Sequence, residues 1–146
     1  MFRGSSPARI DDKGRLKIPT DFRRVVEERH GLDLFVTSLQ GDSVMIYPLP
    51  VWEEVEERLR AVPSADRAKA RFLARVNYYG QQVRLDVQGR ILIPQLLRES
   101  AGMNGDVVVT GQLDHLVVWN HERFLRLLEE EPLTDEDFRA LTQYGI

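Results

Sequence analysis

Cysteine is absent from the 146 residues, which excludes a disulfide framework and thiolate chemistry. No apolar run approaches the roughly 20 residues of a membrane-spanning helix, and the first residues lack the apolar core of a signal peptide. A cytoplasmic protein is therefore expected. Histidine is scarce, with three in the chain. His115 and His121, with Asp114 and Glu122 nearby, fit no metal-ligand spacing and read as surface residues, and His30 reads as the polar end of a helix. A Gly-rich phosphate loop, a nucleophile elbow and a catalytic triad signature are all missing. Glu53-Glu54 and Glu129 to Glu131 are consecutive helix residues that cannot face one another as an acid and base pair. No catalytic residue, metal or cofactor is expected, nor a small-molecule substrate or membrane partner.

What is present is an ordinary globular balance, 42% apolar and 29% charged, enough for one sizeable core or two small ones sharing a face. The net charge of -3 argues at first against a nucleic-acid partner, because such domains are usually basic. The charge is unevenly spread, however. Residues 1–24 hold Arg3, Arg9, Lys13, Arg15, Lys17, Arg23 and Arg24 against Asp11, Asp12 and Asp21, whereas the acids cluster near the other end, in Glu129 to Glu131 and Asp135 to Asp137.

The chain repeats itself. Arg9-Ile10-Asp11-Asp12-Lys13-Gly14-Arg15-Leu16-Lys17-Ile18-Pro19 returns about 75 residues later as Arg84-Leu85-Asp86-Val87-Gln88-Gly89-Arg90-Ile91-Leu92-Ile93-Pro94. Self-similarity over so many fixed positions takes precedence over local propensity and predicts two copies of one fold. Within each copy, apolar residues alternate with polar ones on either side of a tight connection, the period of half-buried strands. Gly14 and Gly89 are expected to take the positive φ of a hairpin turn. Asp11 can accept turn amides and pair with Arg15 across the loop, and Asp86 with Arg90. The outer face of the first copy then carries Arg9, Asp11, Arg15 and Lys17 together.

This Asp-x-x-x-Arg turn resembles that of the AbrB-like swapped-hairpin DNA-binding domain. Met1-Phe2-Arg3-Gly4, Asp12-Lys13-Gly14-Arg15, Tyr47-Pro48-Leu49-Pro50-Val51-Trp52 and Gln88 to Pro94 extend the likeness over essentially the whole chain, which resembles the MraZ family of bacterial transcriptional regulators. The resemblance implies a DNA-binding regulator of the division and cell wall gene cluster, associated with the nucleoid and assembled as a ring of identical subunits on repeated promoter boxes. It assigns DNA contacts to Arg3, Lys13 and Arg15. Arg9 and Lys17 join them by their outward register, and Arg90 is the corresponding arginine of the second copy.

Each half reads strand, strand, helix, strand, strand, helix, with residues 1–75 as the first repeat and 76–146 as the second. The expected class is α+β, two AbrB-like hairpin and helix repeats interlocked into one small barrel-like pseudo-dimer flanked by helices. Pro19 opens one helix and Gly31 closes it. Gly41-Asp42 marks a hairpin, and Trp52, Val55 and Leu59 stripe the next helix. Ser64 is expected to cap a linker helix running through Arg75. Val83 to Ile93 is expected to form a hairpin, as is the pair Val107 to Thr110 and Leu116 to Trp119. Thr134, with Asp137 three residues on, reads as a capped helix start.

The second copy replaces Asp12, Lys13 and Lys17 with Val87, Gln88 and Leu92, so its face is half apolar and suits assembly more than DNA. An alternative reading is a non-DNA interaction protein of the same fold, a toxin-neutralising or scaffold subunit.

Overall fold

The computed structural model describes residues 1–146. Its elements run β1 (Ser5–Ile10), β2 (Arg15–Lys17), α1 (Thr20–Arg29), β3 (Asp33–Thr37), β4 (Val44–Pro48), α2 (Leu49–Arg60), α3 (Arg67–Tyr78), β5 (Gln81–Arg84), β6 (Arg90–Leu92), α4 (Gln95–Ser100), β7 (Gly105–Gly111), β8 (Leu116–Asn120), α5 (His121–Glu130) and α6 (Asp135–Thr142). The fold is α+β. The eight strands form one sheet in the order β5-β3-β4-β8-β7-β1-β2-β6, and its two end strands, β5 and β6, come into contact, so that the sheet nearly closes into a barrel.

Strand pairing departs from simple local hairpins. β1 and β2 share one register pair, Ile10 with Leu16, after which β1 runs along β7 from Ser5 to Ile10. β2 turns instead to β6, pairing Arg15 with Leu92, Leu16 with Ile91 and Lys17 with Arg90. In the second repeat the expected Val83 to Ile93 hairpin keeps its turn but not its ladder, because β5 pairs with β3. The physical reason is that a tight turn fixes the chain reversal, whereas the partner of each strand is fixed by burial. Leu16 and Ile91 are both buried within one shared core and are paired across the repeats.

Backbone hydrogen bonds seal this exchange. Ile18 N–H donates to the Gly89 carbonyl at 2.9 Å and Ile93 N–H to the Gly14 carbonyl at 2.9 Å. Each repeat thus braces the other's turn. A single cluster of 20 buried apolar residues draws on both halves, from Phe2, Ile10 and Leu16 to Ile91, Val107 and Val118.

The helices dress this barrel. Pro19, Pro48 and Pro94 each stand at the N-cap of a helix, where their lack of an N–H is harmless. Trp52 is buried with Tyr47 and Val76 in a satellite cluster, its ring 4.7 Å from that of Phe35. The linker helix begins later than expected, because Asp66 and not Ser64 is the cap, accepting from Lys69 N–H. It also continues past Arg75 to Tyr78, since Val76 is its most buried residue and the Val76 carbonyl accepts the buried Thr37 hydroxyl at 2.6 Å. At the other end, Thr134 and Asp137 form the reciprocal capping box anticipated for α6. No helix is long and apolar enough to cross a membrane.

Candidate nucleic-acid interface

The turn between β1 and β2 is constructed around one carboxylate. Asp11 Oδ1 accepts the backbone N–H of Lys13 at 3.0 Å and that of Arg15 at 2.8 Å, while Oδ2 accepts Arg15 Nε at 2.8 Å. The turn closes through Gly14 N–H to the Asp11 carbonyl and Asp11 N–H to the Arg15 carbonyl, both 3.0 Å. Gly14 holds φ +81° and is itself buried. A side chain with a Cβ is strained at that backbone angle, so glycine is the residue the turn admits.

The second turn copies the first. Asp86 Oδ1 accepts Gln88 N–H at 2.9 Å and Arg90 N–H at 2.8 Å, and Oδ2 accepts Arg90 Nε at 3.2 Å. Gly89 has φ +75°. In both turns the carboxyl group is held below its ordinary value of 3.8, first by the arginine backbone N–H, which outweighs the opposing effect of desolvation, and then by the arginine side chain and the second turn amide. An acceptor with amides converging on it stays ionised and keeps its arginine oriented.

The two turns project from opposite ends of the β2–β6 ribbon, and its solvent face carries Arg15, Lys17, Arg90 and Leu92. Lys17 lies directly opposite Arg90, and Arg15 opposite Leu92. The alternation that buries Leu16 and Ile91 turns these four side chains outward. Lys17 is exposed, and Arg15 and Arg90 are half-buried. Arg9 leaves the ribbon: on β1 it reaches Asp106 of β7 at 3.4 Å, both side chains exposed. Arg3 is exposed ahead of β1, at the rim of a groove that also includes Arg9 and Lys17. Of the sequence-selected cations, Lys13 and Arg15 thus belong to one turn, Lys17 and Arg90 to the ribbon, Arg9 to the adjacent strand β1, and Arg3 to the segment ahead of it.

A scan of the chain against family models matches "MraZ protein, putative antitoxin-like" over residues 1–75 and 80–144. The chain belongs to the MraZ family. Its relatives include the transcriptional regulator MraZ of Acidobacterium capsulatum, 52% identical over 146 residues and the full length of both chains. The transcriptional regulator MraZ of Koribacter versatilis is 46% identical over 147 residues, again full length on both sides. That of Yersinia pestis strain Pestoides F is 31% identical over 132 residues, 90% of this chain and 87% of the relative. The two-repeat MraZ architecture matches the interlocked turns described above.

Two features of this family member lay outside the sequence reading. Arg23 of α1 crosses to the second turn, donating from Nη2 to the Val87 carbonyl at 3.0 Å and from Nε to Glu27 at 2.7 Å. Arg98, its repeat counterpart on α4, packs over the first turn, so that a Cβ at Gly14 would lie 2.5 Å from Arg98 Nη1. Both arginines stand four residues after the proline that ends each motif, a signal visible only once the repeats are aligned. His115 differs from its reading as a surface residue. Its ring stacks on that of buried Tyr47 at 4.2 Å, and Nδ1 is 2.7 Å from Asp114 Oδ1. His121 begins α5 and is exposed, and His30 is the C-cap residue of α1.

Proposed function

We propose that this chain is a sequence-specific double-stranded DNA-binding transcriptional regulator, acting on the division and cell wall gene cluster through repeated short promoter boxes. The observation that carries the reading is the Asp11–Arg15 turn, a cation held in fixed orientation at the tip of a β-ribbon whose outer face adds Lys17 and Arg90. A β-ribbon is one of the two elements that fit the major groove of duplex DNA. Arg15 reads base edges, where an arginine can donate two hydrogen bonds to guanine. Lys13, Lys17, Arg3 and Arg9 contact phosphates, which position without specifying. Arg90 contributes less, because its turn replaces Lys13 with Gln88.

One turn offers few contacts, so affinity is collected over identical subunits of a closed ring that engage successive boxes, adding about 10² to 10⁴ in avidity. The name given to the relatives, transcriptional regulator, supports this reading. Binding of labelled duplexes from the region upstream of its own gene cluster, against scrambled duplexes, tests it. Preference for the upstream duplex that vanishes in Arg15→Ala is the expected result.

The family description "antitoxin-like" favours a second reading, a non-DNA interaction protein of the same fold, a toxin-neutralising or scaffold subunit. That reading requires no preference among duplexes, and its partner binding would be indifferent to Arg15.

A further inference from the structure

The two cross-repeat arginines occupy equivalent places but have different surroundings. Arg23 is paired with an anion: Nε donates to Glu27 and Nη2 to the Val87 carbonyl. In the second repeat the position equivalent to Glu27 is Gly102. Arg98 therefore has no carboxylate on its own helix side, and it takes part in none of the ion pairs of the chain. Its Nε is buried without a hydrogen-bond partner. The recess that Arg98 lines also contains the acids Asp11, Asp12, Glu99 and Glu122 and the cations Arg123 and Arg126, yet Asp11 is committed to its own turn, and none of Asp12, Glu99 and Glu122 comes within ion-pair distance of Arg98.

Arginine retains its charge whatever its surroundings, and its planar fork suits phosphate oxygens. A half-buried guanidinium left without an anion, at the foot of the turn that carries Lys13 and Arg15, is arranged for an anion that arrives with the ligand. We propose that Arg98 is a DNA phosphate contact, supplied by the second repeat to the turn of the first, and that Arg23 is its structural counterpart with no such role. The assignment rests on the DNA-binding reading above. It makes the interlocking of the repeats functional, since the first turn contacts the duplex with a cation that its own repeat does not contain. It also makes the two turns unequal for a reason beyond Lys13 and Gln88: Glu27 neutralises the arginine beside one turn and Gly102 leaves the other free.

The experiment compares the salt dependence of duplex binding for the parent, Arg98→Gln, Arg98→Lys and Arg23→Gln, with thermal unfolding of each. A lost phosphate contact lowers the slope of log affinity against log salt by about 0.9 for every subunit engaged. Arg98→Gln is expected to lower the slope and to weaken upstream and scrambled duplexes alike. Arg98→Lys is expected to keep the slope, and Arg23→Gln to keep the slope while lowering the unfolding midpoint. Arg98→Leu, which keeps an apolar stem over Gly14, replaces Arg98→Gln should the latter not fold. A parental slope in the neutral Arg98 variant, with Arg15→Ala inactive, overturns this proposal alone. A parent that binds no duplex overturns it together with the DNA-binding reading.

Discussion

Lys17 and Arg90, one from each repeat, are directly opposed across the β2–β6 pair. Like charges at opposed positions of a sheet destabilise it, whereas opposite charges contribute about 0.2–1 kcal/mol. Arg90 is partly neutralised by Asp86 at 3.2 Å, and Lys17 forms no ion pair. The surface is therefore electrostatically unfavourable until an anion reaches it. Lys17→Glu is expected to stabilise the fold by up to about 1 kcal/mol and to weaken duplex binding. Thermal unfolding and a binding titration on the same preparation measure both, and a variant that loses stability and retains affinity contradicts the account.

The turn glycines bear directly on stability. Valine at Gly14 or Gly89 forces a β-branched residue into positive φ, which costs about 1–3 kcal/mol. It also places a Cβ 2.5 Å from Arg98 Nη1 in the first case and 2.8 Å from Arg23 Cδ in the second. Chemical denaturation of Gly14→Val and Gly89→Val should show comparable losses. Unchanged midpoints would mean that neither turn depends on its glycine.

Acid sensitivity follows from Asp11 and Asp86, whose carboxyl groups are held below their ordinary 3.8 by the N–H groups of Arg15 and Arg90. A group with a depressed folded-state value contributes stability that is present above its unfolded value and is lost as pH falls through the folded one. Unfolding followed from pH 6 downward should show the parent losing stability below about pH 4. Asp11→Asn and Asp86→Asn should begin less stable at pH 6 and decline less. Parallel pH profiles for all three proteins would remove these carboxylates from the acid response.

Leu92 stands opposite Arg15 and is 48% exposed, so the apolar residue assigned to assembly borders the turn assigned to DNA. Leu92→Glu places a carboxylate beside Arg15, where it competes with Asp11. It is expected to weaken duplex binding, and to weaken the ring if Leu92 lies at a subunit contact. Light scattering coupled to size exclusion separates the two effects. A closed assembly gives a mass that is a multiple of 16.9 kDa, and a strictly monomeric mass across concentrations contradicts a ring.

Much of this was legible in the sequence because it is local. The roles of Asp11, Gly14 and Arg15 follow from a five-residue turn, and the Thr134 capping box from four residues. The interlocking of the two repeats was expected from the resemblance to the swapped-hairpin domain, but the partner of each strand was not written in any local signal. A turn signal says that the chain reverses, and only the burial of Leu16 with Ile91 in a common core decides that β2 pairs with β6. The bounds of the linker helix were not local either: Ser64 is chemically as suitable a cap as Asp66, and the helix runs past Arg75 to Tyr78 and buries Val76, whose carbonyl meets Thr37 39 residues away in sequence. Arg98 was invisible for want of any local signal, since a helix arginine usually reads as a solvated one. His115 was misread because its stacking partner, Tyr47, belongs to the other repeat.

The central claim is that the Asp11-pinned Arg15 confers DNA specificity. The direct measurement is the affinity of parent and Arg15→Ala for the upstream duplex and for a scrambled one, at two salt concentrations. The account predicts that the parent discriminates and that Arg15→Ala, still folded and assembled, loses about 1–3 kcal/mol per reading contact and with it the discrimination. An Arg15→Ala protein that binds and discriminates like the parent would contradict it.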